Sequence, residues 1–471
     1  MDCLRVAVIG SGPSGAYCAQ SLCEEPDLDV RVDVFERLPS PFGLVRYGVA
    51  PDHQKIKSIV ASFSEIYKDP RVRFHGNVEV GTHVTVAELR ERYDAVIVAS
   101  GASVDRRLHL AGEDLPGVYS ATDFVAWYSG HPDAPVDRFS FDTERVVVVG
   151  AGNVALDVAR VMCRTADELR RTDVPEHVVE VLAESEVREI HVAARRGPAF
   201  AKYTNKELLE LRTLDSADIV VRLPELVLDT AQEQSLAADT LAARRLAILH
   251  DLARTPTAGR PRSIHLRYGL VPEAFLGERS LSAVRFRQGE SVVDLGADLA
   301  FRSIGYRSSS LDGVPFDAAS STIPHLQGRV LHQERPEPGL YVVGWIKRGP
   351  SGVIGTNRKD ALETVGALLD DRRAGRLRRH SNLALAGAPI VGTQVVDWRG
   401  WQAIDRGERD RGRELGRERV KLHDRARMLA LADAVGRTGP DVTDVRSGVP
   451  LLMRSTGSGH DQGTGGRRRW S

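Results

Sequence analysis

The chain has 471 residues, 42% of them hydrophobic, with 64 basic residues balanced by 64 acidic ones. That length exceeds one ordinary domain and predicts roughly three units, or two large ones plus an extension, and the balanced charge gives no reason to expect nucleic acid as a partner. Four cysteines, Cys3, Cys18, Cys23 and Cys163, are too few and scattered for a disulfide framework or a zinc site, so no metal is expected, and with no leader and no apolar run near the roughly twenty residues that span a bilayer, a cytoplasmic protein without a membrane span is predicted.

In chain order, residues 6–9 form a continuous small-apolar run, the pattern of a parallel strand covered on both faces. Gly10, Gly12 and Gly15 follow at the G-x-G-x-x-G spacing. The first glycine permits a tight turn, the second lets a pyrophosphate approach the backbone, and the third lets helix and strand pack closely. A helix over about 14–24 follows, whose uncapped N–H groups favour an anion. A second strand, 30–35, ends in Glu36, placed where the fingerprint wants an acid for a ribose hydroxyl. Residues 39–53 are too broken by proline and glycine to be helix or strand, yet are rich in apolar groups, which predicts a segment that covers something. A helix over 54–67 follows, then strands near 74–80 and 93–101.

Residues 108–143 read as a mixed connection and the first domain crossing. A second fingerprint spans 146–155, with Gly150 and Gly152 in place and Ala155 at the third position, where alanine is permitted. The strand 189–194 ends in Arg195 and Arg196. A site for NAD puts an acid there, whereas paired arginines complement the extra phosphate of NADP, so NADP is expected in the second unit. Residues 197–214 resume as loop and helix, an Ala-rich helix covers 236–254, and 300–305 close the second unit. The strand 340–344 then leads through a glycine-rich turn into a helix at about 357–369, a second wall at which a helix N-terminus meets negative charge. Residues 371–379 are arginine-rich, residues 398–431 are partly helical, and the tail from about 438 lacks the apolar density to order itself. Two nucleotide folds in one chain imply two nucleotides face to face, for which hydride transfer from NADPH to a flavin is the economical chemistry.

Four long motifs, PSPFGLVRYGVAPDH, VVVVGAGNVALDVAR, ARRGP with a downstream KEL, and YVVGWIKRGPSGVIGTN, together resemble the adrenodoxin reductase family of NADPH-ferredoxin reductases, in particular its actinobacterial members. The resemblance runs from about residue 4 to 431. It implies an α/β fold of two Rossmann-like three-layer nucleotide-binding domains, with a discontinuous FAD domain (1–105 and 333–435), an inserted NADP domain (106–332) and a tail (436–471). It implies FAD contacts at Gly12, Ser14, Gly15, Glu36, Leu44, Val80, Trp345, Gly352, Val353 and Ile354. It implies NADP contacts at Asn153, Val154, Ala155, Arg195, Arg196, Glu207 and Gly352. His53 and Glu210 match family positions near the nicotinamide. The implied activity is hydride transfer from NADPH to FAD, then single-electron transfer to a ferredoxin, by a monomer. Tyr203 stands where the family often has phenylalanine, and Leu209 where it often has an arginine, which puts partner affinity in question. Two other readings stay open: a flavin oxidoreductase acting on quinones or other small acceptors, and a non-catalytic redox sensor.

Overall fold

The computed structural model describes residues 3–377 and 389–436. The expected tail from residue 437 onward and the end of the arginine-rich run lie outside the described residues. Two sheets organise the chain. In the first, seven strands run in the order His325–Leu326, Arg329–His332, Arg335–Val342, Ala95–Val98, Leu4–Ile9, Val30–Phe35, Val72–His75. The last five are mutually parallel. Val6, Val8, Val32, Val34, Ala95 and Ile97 have no exposed surface, which explains why these strands read as unbroken apolar runs: helices cover both faces and no face alternates with solvent.

The second sheet is six-stranded and all-parallel, ordered Val118–Ser120, Leu299–Arg302, Arg145–Val149, Glu189–Ala194, Arg262–Tyr268, Ala217–Val221. Helices such as Asn153–Cys163 and Thr240–Arg254 pack on one face. An antiparallel sheet of three strands, Val271–Leu276, Ala283–Gln288 and Ser291–Gly296, covers part of the other.

The chain leaves the first sheet and re-enters it through one short antiparallel ribbon, in which Val104–Asp105 pairs with Tyr306–Arg307. This corrects the expected second boundary at 332. The strands His325–Leu326 and Arg329–His332 pair in the first sheet, and Val314, Ile323 and Val330 share its core. The return therefore comes at about residue 307. Two smaller corrections concern helices. The segment 39–53 contains a four-residue helix, Leu44–Tyr47, and the helix expected over 54–67 breaks at Ser58 into Gln54–Lys57 and Ile59–Ile66. No described helix is long and apolar enough to cross a membrane.

Candidate functional site: two glycine cradles and the charge cluster between them

At the carboxyl end of Leu4–Ile9 the three glycines divide their labour as the fingerprint requires. Gly10 has φ +109°, and a Cβ there would press on the Ala99 carbonyl. A Cβ on Gly15 would collide with the Gly10 carbonyl, so that glycine serves helix–strand packing. A Cβ on Gly12 would meet open space, which leaves its backbone free for a ligand to approach. Gly12 caps the helix Pro13–Glu24 without any side-chain hydrogen bond, so the helix N-terminus keeps its anion-binding capacity. Glu36, at the end of the neighbouring strand, accepts hydrogen bonds from Ser11 N (3.1 Å), Ser11 Oγ (2.6 Å) and Leu38 N (3.1 Å). Its carboxylate is thus fixed against the loop.

A strap and a wall enclose this first cradle. Phe42 donates its N–H to the Ser11 carbonyl (3.2 Å), and the strap comes so close that a Cβ on Gly43 would sit 3.1 Å from Gly12 Cα. Phe42 holds a left-handed backbone (φ +82°), rare for a bulky residue. Its buried ring packs against Phe63, Tyr67 and Trp401, which holds that conformation in place. Leu44 follows as the first residue of its short helix. The wall arrives from the far end of the chain. Gly344 (φ +80°) sits against Ser14, whose hydroxyl donates to Asn357 Oδ1 (3.1 Å), and Trp345 opens the helix Trp345–Arg348. Gly352 (φ +83°) and Val353 then precede the long helix Ile354–Arg373, which packs along Pro13–Glu24. Val353 is 68% exposed. Val80 lies five residues after the strand Val72–His75, half-buried against the core cluster that contains Phe35 and Ile346.

The second cradle repeats the loop and has a crossing segment of its own, in which Lys202 donates its N–H to the Ala151 carbonyl (2.8 Å). Gly150 (φ +153°) would, with a Cβ, collide with the Ser303 carbonyl, whereas a Cβ on Gly152 would meet open space. Ala155 is buried at the third position, and Gly152 caps Asn153–Cys163 without a side-chain hydrogen bond. Asn153 Oδ1 accepts from Thr204 N (2.8 Å), tying the helix start to the segment that carries Glu207 and Glu210; Val154 beside it is half-buried. Arg195 and Arg196 are exposed directly after Glu189–Ala194, and among the described residues neither has a carboxylate within ion-pairing reach. The Arg196 guanidinium lies 4.8 Å from the Phe200 ring centre.

Between the cradles, the strap residues Asp52 and His53 meet the second unit. His53 Nε2 lies 2.7 Å from Glu210 Oε2 and 3.3 Å from Glu207 Oε2. At their centre is Arg160, whose side chain has no exposed surface and which bonds Asp52 (2.8 Å), Asp157 (2.7 Å), Glu207 (3.2 Å) and Glu210 (3.2 Å). Three acidic or imidazole groups converging this way resemble a metal-ligand set, but the guanidinium already supplies the cation. Burial works to raise the Asp52 and Glu210 carboxyls; Arg160 for the first and the His53 hydrogen bond for the second outweigh it and hold both below the usual carboxylate range. Asp157 goes the other way: burial pushes it up to about 7 despite Arg160. Beside it, burial and the Asp157 charge drive the Tyr128 phenol well above its ordinary value, and its buried hydroxyl has no hydrogen-bond partner. Tyr306 and Trp345, with ring centres 5.9 Å apart, join the two units next to this cluster. The arrangement can hold a proton near neutral pH and an imidazole oriented by a carboxylate. Sequence reasoning found His53, Glu207 and Glu210 but not Asp52, Asp157 or Arg160. The available signal was an i,i+3 acid–base pair on a helix whose residues from Ala155 to Cys163 are all buried.

Residues 4–243 match the family model of the pyridine nucleotide-disulphide oxidoreductases. The chain is 42% identical over 457 residues to the NADPH-ferredoxin reductase FprA of Mycobacterium tuberculosis, a match spanning 90% of this chain and 98% of that protein. It is 35% identical over 462 residues to the mitochondrial NADPH:adrenodoxin oxidoreductase of Arabidopsis thaliana, spanning 91% and 95%. Among solved structures, Mycobacterium tuberculosis FprA in complex with NADPH superposes with a TM-score of 0.85 at 40% identity, covering 92% of this chain and all of that one.

Proposed function

Because the chain belongs to the pyridine nucleotide-disulphide oxidoreductase family, and within it to the adrenodoxin reductase-like NADPH-ferredoxin reductases, we infer that it is an FAD-containing, NADPH-dependent enzyme that passes electrons to a ferredoxin. The observation that carries this reading is the pair of glycine cradles, each open at its middle glycine, with Arg160 on the helix of the second ion-paired to Asp52 on the strap of the first. A Cβ-free approach, an uncapped helix N-terminus and an acid at the strand end suit a dinucleotide in the first cradle. The second has the same loop, with two arginines in place of the acid, which suits a 2′-phosphate.

We assign FAD to the first cradle and NADPH to the second. When bound, FAD supplies the chemistry of accepting two electrons and releasing them singly. The protein's own part is positioning. Gly10, Gly12, Ser14 and Gly15 would hold one pyrophosphate through backbone N–H groups, and Glu36 would orient a ribose. Leu44, Val80 and Trp345 shape the cavity, and Gly352, Val353 and Ile354 aim a helix N-terminus into it. Gly150, Gly152, Asn153, Val154 and Ala155 hold the second pyrophosphate, Arg195 and Arg196 the 2′-phosphate, with Gly352 between the two sites. His53, held by Glu210 and Glu207, keeps its imidazole in one orientation beside the meeting point, where it can hold or pass a proton at Nε2. Both cradles and the closing wall come from a single chain, which supports action as a monomer, and four unpaired cysteines suit a reducing, cytoplasmic setting.

Anaerobic titration of the purified flavoprotein with NADPH should bleach the flavin absorbance with one equivalent. Reduced enzyme should then reduce a ferredoxin at a rate that falls as ionic strength rises, since docking of an acidic partner is steered by charge. Absence of bleaching would overturn the assignment. Quinone turnover exceeding ferredoxin turnover at every salt concentration would give the small-acceptor reading instead.

A further inference from the structure

A second convergence of metal-ligand types lies outside the nucleotide sites, on the inserted unit. Glu189 and His191 are two residues apart on the strand Glu189–Ala194, and Ser263 and His265 stand directly opposite them on Arg262–Tyr268. Side chains two apart share a sheet face, so the four form a square on one face of the sheet, beyond the area covered by the three-stranded sheet. Glu189 Oε1 lies 3.0 Å from His191 Nε2 and 3.3 Å from His265 Nε2, and all three donor atoms fall within 4.8 Å of one another. A tetrahedral ion with bonds of about 2.0–2.1 Å to nitrogen and oxygen spaces its donors about 3.3 Å apart. The two spacings from Glu189 match that distance, and the two imidazole nitrogens lie within 4.8 Å of each other.

The Ser263 hydroxyl is 2.9 Å from His265 Nε2, a contact an ion would displace, and ligation at both Nε2 atoms puts the ring hydrogens on buried Nδ1 atoms that have no partner, a cost the metal bonds must exceed. The imidazole rings lie with centres 4.7 Å apart, tilted by 36° to one another. The contrast with the cluster between the cradles is informative. There Arg160 occupies the centre of His53, Glu207 and Glu210; here the groups within ion-pairing reach of Glu189 are the two imidazoles alone, among the described residues. Arg222 and Arg267 face the pair electrostatically, and the charge of Arg267 is balanced by Glu225 at 2.8 Å. His191 is buried, while the Glu189 side chain is 36% exposed, which gives an entry path.

We propose that Glu189 Oε1, His191 Nε2 and His265 Nε2 bind a divalent transition-metal ion, Zn²⁺ being the best match to two imidazoles and one carboxylate, with water completing a tetrahedron. The site staples two neighbouring strands at their amino ends, about 20 Å along the sheet from Arg195 at the carboxyl end. It is independent of the flavin.

The test is calorimetric titration of the FAD-loaded enzyme with Zn²⁺, repeated on Glu189→Gln and His265→Gln, with Zn X-ray absorption of the wild-type complex. One equivalent should bind the wild type, at least about tenfold more weakly in each variant, and the absorption fine structure should show two imidazoles and one carboxylate. Zn²⁺ should raise the melting temperature of the wild type but not of the variants, and NADPH oxidation without Zn²⁺ should be equal in all three. Equal binding by all three proteins, or none by the wild type, overturns the proposal. His53→Gln, which removes the other convergent group, should leave the bound equivalent intact; its loss there would place the metal at the wrong cluster and overturn the proposal too.

Discussion

The two glycine cradles share a backbone plan and differ in what surrounds it. The first is closed over by the Phe42–Leu44 strap and walled by Trp345 and the helix Ile354–Arg373. The second has its turn, an open middle glycine and two exposed arginines, and the segment that crosses it, with Lys202 donating its N–H to the Ala151 carbonyl (2.8 Å) and Thr204 to Asn153 Oδ1 (2.8 Å), comes from its own unit rather than from the far end of the chain. The wall slows release, because it must move before a ligand in the first cradle can leave; a cradle with exposed arginines permits turnover. The same loop can therefore serve a resident cofactor in one unit and an exchanging one in the other. What separates them is long-range packing, not the fingerprint.

The sharpest way to break this comparison is at the third position of each loop. Gly15→Ala puts a methyl group into the Gly10 carbonyl, which is backbone and cannot swing away, whereas the second loop already carries Ala155 in the same place. Gly15→Ala should therefore yield protein with little or no flavin, read as the ratio of visible to ultraviolet absorbance, and with lowered stability. Ala155→Gly should retain full flavin and lose about 1 kcal/mol or less, the ordinary helix cost. Full flavin in Gly15→Ala would show that the two third positions are equivalent.

Next in size is the strap. Phe42→Ala removes a buried ring, a change that typically costs about 3–5 kcal/mol in a core, and frees a backbone held in a left-handed conformation. The variant should lose flavin on dialysis at a rate well above the wild type, while the NADPH affinity of flavin-replete enzyme changes little. An equal effect on both nucleotides would mean that the strap does not distinguish the cradles. The mirror experiment acts on the second cradle. Arg195→Gln and Arg196→Gln should each raise the KM for NADPH about tenfold to a hundredfold, from about 1.5–3 kcal/mol per charge-assisted contact, with flavin content unchanged and KM for NADH nearly constant.

The two strand–glycine–helix units were legible in the sequence because each is local: the apolar run, the turn and the helix start fall within about fifteen residues, and the strand Glu189–Ala194 begins and ends where its pattern does. Breaks made by single residues were harder to read. Asp239 caps one helix and ends another, splitting the Ala-rich segment into Thr230–Ala238 and Thr240–Arg254. Gly355 reads as loop but lies inside Ile354–Arg373, since its neighbours continue the helix on both sides. The boundary near 307 was hidden because strands of two and four residues, His325–Leu326 and Arg329–His332, carry too short a pattern to declare which sheet they join. Arg160 was invisible for a different reason. A lone arginine on a helix reads as a solvated face, and only the meeting of the strap and the helix Asn205–Glu210 with its own helix buries it among four carboxylates.

That cluster carries the smallest predicted effect, and its sign follows from Asp157. Burial raises this carboxyl to about 7 in the folded protein, against about 3.9 in an unfolded chain. A group whose folded pKa is raised adds stability that is complete below the unfolded value and is lost as pH rises through the folded one. The Asp157 contribution should thus decline between about pH 4 and pH 7. Asp52 and Glu210, held low by Arg160 and His53, act oppositely: their contribution is present above the unfolded carboxylate range and is lost as the solution is acidified. The two trends overlap near pH 4 and separate above pH 5. Asp105, raised by burial to about 6, declines in the same window as Asp157, so wild type alone cannot assign the slope. The difference in melting temperature between wild type and Asp157→Asn removes the Asp105 term. It should shift by a few degrees between pH 5 and pH 8 in favour of the variant at the higher pH, because the asparagine imposes no buried charge. A difference that stays flat over that range would mean that Asp157 is ionised throughout, with Arg160 compensating its burial in full, and that the cluster between the cradles stores no proton at neutral pH.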